Sequence, residues 1–228
     1  MTVKIVLANT SHPGNIGAAA RAMKTMGLYD LCLVSPQTDI DDTAYARATH
    51  AADVLDNSEV VTAMSSAVAN ATLVIGTSAR PRHLDWPVIT PKELKDACAG
   101  HSEIAIVFGN ERTGLSNHEI SYCNKLLHIP TNKECQSLNL AAAVQIIAYE
   151  LSTFKSEVKG NKKNLATHEE LEYFFKHLMQ IIDKIEFIKA TSSKSILLKM
   201  KCLFQRAAPN SEEIAILRGI LTNIERKL

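Results

Sequence analysis

Short runs of β-branched and other apolar residues constrain this chain more than any other feature. Residues 3–8 (VKIVLA), 73–76 (LVIG) and 104–108 (IAIVF) do not alternate with polar residues as a strand with one wet face would. They read as strands buried on both sides, the signature of a parallel sheet covered by helices on each face. The intervening segments have helical spacing. Residues 15–26 carry alanines and methionines at that period and end at Gly27, a suitable helix C-cap. A strand at 31–34 stops at Ser35-Pro36. A helix around 43–52, a short strand at Val54-Leu55 and a helix across 58–69 are expected next. A helix starts at Thr90-Pro91, SNHE at 116–119 has the capping-box pattern, 126–129 reads as the last strand, and 138–154 forms a long amphipathic helix. Strand and helix alternate, so residues 1–154 are expected to form one α/β domain with a mainly parallel sheet.

Beyond Phe154 the character changes. Residues 155–165 (KSEVKGNKKNL) are polar and lysine-rich, and the stretch 155–166 reads as a basic linker. Residues 167–228 read as an all-helical extension. One helix opens at Thr167 with Leu171, Phe174, Phe175, Leu178, Ile181, Ile182 and Ile185 on one side. A final helix is capped by Asn210 and Glu213. So small a unit has little core of its own and is expected to pack on the body, on a second copy or on RNA. Charge follows the same division. Residues 1–154 hold 11 Lys and Arg against 15 Asp and Glu, and residues 155–228 hold 14 against 9, within a net charge of +1. A basic tail on an acidic body fits a polyanionic partner, and equally a solvated helical face.

Several classes are disfavoured. No run reaches the roughly 18–20 apolar residues of a membrane helix, and the short N-terminal run reads as a strand rather than a signal peptide. The five cysteines (Cys32, Cys98, Cys123, Cys135 and Cys202) are scattered without a C-x-x-C pair, which fits free thiols in a reducing cytoplasm. The eight histidines do not fall at metal-ligand spacing, so no metal site is expected. There is no G-x-S-x-G elbow, and a hydrolase is the weakest reading.

Four segments sit where strands end, the place where open α/β sheets bind ligands. They are NTSHPGNIGAAARAMKTMG from Asn9, GTSAR from Gly76, FGNERTGLS from Phe108 and IPTNKECQSLNL from Ile129. In the first, Gly14 and Gly17 lack the G-x-G-x-x-G fingerprint and are weak as a nucleotide loop. Its small face, Ala18, Ala19, Ala20 and Ala22, would admit a ligand or another chain, and Arg21 alone could be an ordinary surface residue. In the second and third, small polar residues and paired glycines let backbone amides face a ligand. In the last, Ser137 or Asn139 could be no more than a helix cap.

Taken in order and spacing, these strings resemble the SPOUT methyltransferases of the SpoU type, and within them the TrmJ group of tRNA (cytidine/uridine) ribose 2′-O-methyltransferases. The resemblance covers roughly residues 3–154, and Trp86-Pro87 strengthens it. It implies an α/β SPOUT fold with a deep trefoil knot, followed by the small helical extension. The cofactor it implies is S-adenosyl-L-methionine, with Thr77, Ser78, Ala79, Gly109, Ile129, Ser137 and Leu138 lining the pocket. It further implies that Arg21, Glu111, Ser137 and Asn139 form the catalytic set and that Asn15 and Arg21 meet RNA. The expected partners are tRNA and a second copy of the chain, with the active site shared across a homodimer and Arg21 supplied by the other subunit. Lys155, Lys159, Lys162 and Lys163 are the candidates for phosphate contact.

The reaction so implied displaces methyl from a sulfonium by a ribose oxygen at position 32, the first nucleotide of the anticodon loop. A guanidinium stays protonated with a pKa above ~12, so Arg21 suits a developing alkoxide better than proton abstraction. Asn110 stands where many relatives carry Arg or Pro, Gln136 where the nearest carry a small hydroxyl residue, and Ala142 where a bulkier residue is expected. Methylation of another tRNA position or of ribosomal RNA, or a silent RNA-binding module on the same fold, are the alternative readings. A cytoplasmic enzyme that does not enter the membrane fits the whole.

Overall fold

The computed structural model describes residues 1–79, 86–132, 134, 136–154, 164–187 and 193–228. In chain order the body comprises β1 (Thr2–Ala8), α1 (Pro13–Thr25), β2 (Asp30–Val34), α2 (Asp42–Ala48), α3 (Ala52–Asp56), β3 (Glu59–Val61), α4 (Met64–Val68), β4 (Leu73–Thr77), β5 (Val88–Ile89), α5 (Leu94–Cys98), β6 (Glu103–Phe108), α6 (Asn117–Ile120), β7 (Lys125–Leu127) and α7 (Leu140–Ser152). The extension adds α8 (His168–Lys184), α9 (Ser193–Ala207) and α10 (Ser211–Glu225). The seven strands form one sheet in the order β3-β2-β1-β6-β4-β7-β5, and every pairing is parallel. The α/β body with a parallel sheet is therefore as the sequence implies.

The apolar runs are buried on both faces, as a parallel sheet requires. Ile5, Leu7, Ile75, Ile104, Ile106 and Phe108 pack under α1 and α7, while Val6, Ala8, Val74, Ala105 and Val107 face α4, Trp86 and α6. The indole Nε1 of Trp86 donates to Cys123 O at 2.7 Å, which satisfies the one polar group of a buried ring. Helix α1 starts at Pro13, with the His12 ring accepting from Gly14 N as N-cap. Its small face serves the body. A Cβ on Gly17 would lie 1.9 Å from Ala44 O of α2, and Ala19, Ala20 and Ala22 are buried. Only Ala18 of that stretch is partly exposed, so most of these small residues admit α2 rather than a ligand or a second chain.

Local expectations fail where segments are short. Val54 and Leu55 lie in α3, not in a strand, because their side chains fill the space beside α1. Residues 59–61 form β3 instead of opening a helix, since Val34 and its neighbours offer an unpaired sheet edge that recruits them. The helix that follows is confined to α4. Strand β7 ends at Leu127, leaving Ile129 in the loop, and β5 is an edge strand with no sequence signal beyond two β-branched residues. Helix α7 begins at Leu140, so Ser137 and Leu138 precede it and Asn139 is its N-cap.

The extension has a core of its own and also packs on the body. Ala166, Leu171, Phe174, Phe175, Ile181, Ile214 and Leu221 cluster, with the rings of Phe174, Phe175 and Phe204 within 5.6 Å of one another. Helix α9, absent from the sequence reading, supplies Phe204. The start of α8 is tied to the body by amides of His168 and Glu169 donating to Ala71 O and Ala69 O. Behind it His168, Glu172 and Lys201 meet Tyr122. Lys201 Nζ is 2.5 Å from Glu172 Oε1 and stands 5.5 Å from the centre of the Tyr122 ring. Among the described residues no helix is long and apolar enough to cross a membrane. Cys32, Cys98 and Cys123 are buried free thiols, whereas Cys135 lies outside the described residues.

His168 carries a pH signature. Burial holds its imidazole well below its usual value of 6.5, at about 4, with Glu172 opposing and Lys201 reinforcing the shift. The unfolded chain thus takes up this proton first as pH falls, and stability drops between about pH 6.5 and 4 by roughly 3 kcal/mol. His168→Leu is expected to flatten that part of the profile in urea titrations. An unchanged slope would refute the assignment.

Candidate active site

Sheet register brings the first and third motifs together. Leu7 pairs with Phe108 across β1 and β6, so the segments leaving these strands emerge side by side. There the Asn110 amide donates to Asn9 O at 2.7 Å, while its carbonyl oxygen accepts from the amide of Arg112 at 2.9 Å and that of Thr113 at 3.3 Å. Asn110 is thereby a brace for the loop, a role that its departure from the family pattern did not disclose. On the other side of β6, Thr77 at the end of β4 donates from Oγ1 to Val107 O, and Ser78 N donates to Leu127 O of β7. His128 Nδ1 lies 3.1 Å from Ser78 O.

These strand ends enclose a cavity of about 550 Å³, within the range of roughly 300–1,000 Å³ usual for small-molecule sites. Thr77, Ser78, Ala79, Gly109, Ile129, Ser137 and Leu138, all seven expected pocket residues, line it. Phe108, Leu127 and Leu140 add apolar wall, and Thr131, Glu134 and Gln136 add polar rim. The loop 109–115 folds tightly on itself at one side. A Cβ on Gly109 would stand 2.3 Å from Gly114 C and Leu115 N, so only glycine permits this closure.

Glu111 also borders the cavity and anchors a chain of side chains. Its Oε2 accepts from Ser11 N at 3.1 Å and Ser11 Oγ at 3.0 Å, and its Oε1 accepts from Asn15 Nδ2 at 3.0 Å. Asn15 Oδ1 accepts from Asn139 Nδ2 at 3.0 Å, and Asn139 Oδ1 accepts from Ala141 N at 2.9 Å, capping α7. Partial burial pushes the Glu111 carboxyl up, but hydrogen bonds from Asn15, its own amide and Ser11 outweigh it and hold the group below the usual range. The carboxylate is ionised at neutral pH with both oxygens engaged. Ser11 was missed in the sequence, although it lies within the first motif, two residues from Asn9.

Arg21 is not part of this cluster. It is exposed on α1, six residues past Asn15, hence about 9 Å further along the helix and a third of a turn away around it. Lys155, Lys159, Lys162 and Lys163 lie outside the described residues.

A family model described as SpoU rRNA Methylase family matches residues 2–149. The chain belongs to the SpoU methylase family. A second model, tRNA methyltransferase TrmJ, C-terminal domain, matches residues 169–228 of this SpoU methylase. The tRNA (cytidine/uridine-2′-O-)-methyltransferase TrmJ of Photorhabdus laumondii is 42% identical over 233 residues, covering 98% of this chain and 97% of its own. The crystal structure of TrmJ from Z. mobilis ZM4 superimposes with a TM-score of 0.89 at 34% identity, covering 99% of this chain and 100% of that one. AviRb from Streptomyces viridochromogenes, crystallised in complex with the cofactor AdoMet, shares the fold at 21% identity and a TM-score of 0.53, covering 66% of this SpoU methylase and 59% of AviRb.

The two glycines with opposite surroundings give a direct test. Gly109→Ala is expected to lower stability by about 1–3 kcal/mol as the loop is forced apart. Gly219→Ala, on α10 with nothing near its missing Cβ, should be neutral or raise stability by up to ~1 kcal/mol. Equal effects of the two in denaturant titrations would contradict the loop packing.

Proposed function

We propose that this SpoU methylase transfers the methyl group of S-adenosyl-L-methionine to a ribose 2′-hydroxyl of tRNA, at a pyrimidine in position 32 of the anticodon loop. The observation that carries the reading is the 550 Å³ cavity, lined by all seven expected cofactor residues and bordered by the Glu111 network. The cofactor fits what is there. Leu127, Ile129, Leu138 and Leu140 offer apolar surface for an adenine, and Thr77, Ser78, Thr131 and Ser137 offer polar groups for its edge and for the amino-acid end. When bound, it supplies an electrophilic methyl group on a sulfonium. The full-length relative named a tRNA 2′-O-methyltransferase supports the acceptor class.

In this reading the residues of the chain align and stabilise. Glu111 has a depressed pKa and engaged oxygens, so it is a weak base and acts by fixing Ser11, Asn15 and, through Asn15, Asn139. Ser137 and Asn139 orient the acceptor ribose at the mouth of the cavity, and alignment of this kind supplies much of the acceleration. Arg21 stabilises the developing alkoxide as a guanidinium in a second copy's site. A dimer is supported by two stripes of exposed and partly exposed residues on neighbouring helices. One carries Ala18, Arg21 and Thr25 on α1, and the other carries Ala142, Gln145 and Tyr149 on α7, with Tyr149 56% exposed. Residues 1–154 would hold the chemistry and the trefoil knot, residues 155–166 the basic linker, and residues 167–228 the extension that grips tRNA beside those lysines. The enzyme would work in the cytoplasm.

Incubation with methyl-labelled S-adenosyl-L-methionine and unmodified tRNA transcripts is expected to label a 2′-O-methylated pyrimidine at that loop position. Arg21→Ala should lower kcat at least about 100-fold while cofactor affinity stays unchanged. Label at another tRNA position or only in ribosomal RNA would overturn the target, and absence of label with the cofactor bound would overturn the enzyme reading.

A further inference from the structure

The loop 109–115 has a second face. Beyond it lies a larger open depression of about 1180 Å³, built over the ends of β1, β2 and β3. Its near wall is Arg112 to His118, its far wall runs from Ser35 and Gln37 to Thr62 and Met64, and Asn9, Val34 and Tyr122 lie between. Arg112 borders both this depression and the first cavity.

The chemistry of the lining is one-sided. Arg112, Asn117, His118, Gln37 and Thr62 are exposed hydrogen-bonding groups, and Arg112 is a permanent cation. The single carboxylate among the described lining residues, Glu119, is buried, accepting from Asn9 Nδ2 at 2.8 Å and from Ser116 N at 2.6 Å. Residues 1–154 carry more acids than bases, yet the described residues lining the depression offer no exposed acid. It also holds two rings, His118 and Tyr122, edge to face with centroids 5.3 Å apart. The Tyr122 ring is backed from the extension by His168 at 5.4 Å, and Gln205 Nε2 donates to Ser121 O. A cation, neutral donors and supported aromatic rings in an open channel are what single-stranded nucleic acid needs, charge for phosphate and ring faces for unstacked bases.

We propose that this depression cradles the RNA strand adjacent to the acceptor nucleotide, with Arg112 on a backbone phosphate and a neighbouring base against His118 and Tyr122. The proposal rests on the RNA-methyltransferase reading, because it continues the strand from an acceptor ribose held beside Glu111. It gives the C-terminal helices a duty beyond phosphate contact, since α8 and α9 brace the wall on which that base would rest.

The test uses the full chain and a tRNA transcript, with binding and methylation measured in parallel. Thr62→Glu puts an anion on the far wall, away from the first cavity. It should raise the Kd for tRNA about fivefold or more while affinity for S-adenosyl-L-methionine stays within about twofold. Arg112→Gln should weaken binding similarly and reduce the slope of log Kd against log salt by about 0.9, and Arg112→Lys should restore most of both. A Lys4→Ala change, towards the opposite end of β1 in a pair with Glu59, serves as the reference and should leave the Kd unchanged. Unaltered Kd and salt slope in Thr62→Glu and Arg112→Gln would overturn the cradle even if the wild type methylates tRNA. Weakened tRNA binding by these variants, with a wild type that binds tRNA but never methylates it, would support the cradle as an RNA groove and sink only the enzymatic reading.

Discussion

The pairing of β1 with β6 is the constraint from which the site follows. Because Leu7 lies opposite Phe108, the loop that begins the first helix and the loop that follows β6 leave the sheet at one height and in one direction. The Glu111 cluster is a consequence of that adjacency. Asn110 can reach Asn9 O, Glu111 can take both Ser11 and Asn15, and Asn15 can present its oxygen to Asn139 from a third segment. Buried strands supply the rigidity, and loops supply the chemistry, a division expected of parallel sheets with ligands at their carboxyl ends.

Much of this was legible before any coordinates, for physical reasons that differ by region. The strands at 3–8, 73–76 and 104–108 declared themselves because each is a short apolar run rich in β-branched residues, too short for a buried helix. The seven residues that the resemblance implies for the cofactor surround one cavity. What stayed hidden depended on long-range partners. Val54 and Leu55 have strand propensity but are claimed by the space beside α1, and the residues of β3 become a strand only because β2 offers an edge. Ser11 and Asn110 gave no signal because their importance lies in which atom stands opposite, something set by sheet register rather than by neighbours in sequence. Arg21 is the reverse case. The resemblance singles it out, yet within one chain it stands exposed and apart from Glu111.

The extension shows how a small unit remains ordered. Three helices bury a modest aromatic core, and the remaining stabilisation comes from docking on residues 69–71 and on Tyr122. The polar group at that junction, His168 with Glu172 and Lys201, is buried at some energetic cost, which ties the position of α8 and α9 to the segment that follows the pocket loop.

Asn139 links two tasks in one side chain, holding Asn15 with its amide nitrogen and capping α7 with its oxygen. This has a bearing on biosynthesis. A ribosome making the chain from its N-terminus releases the strands β1, β4 and β6 well before residue 139, so a sheet can collapse with its polar cluster still open. Only when the start of α7 has cleared the exit tunnel does Asn15 gain its partner, and the helix and the site are then completed by the same event. A nascent or truncated chain ending before that residue would have no finished site and would leave uncovered the part of the sheet that α7 packs on.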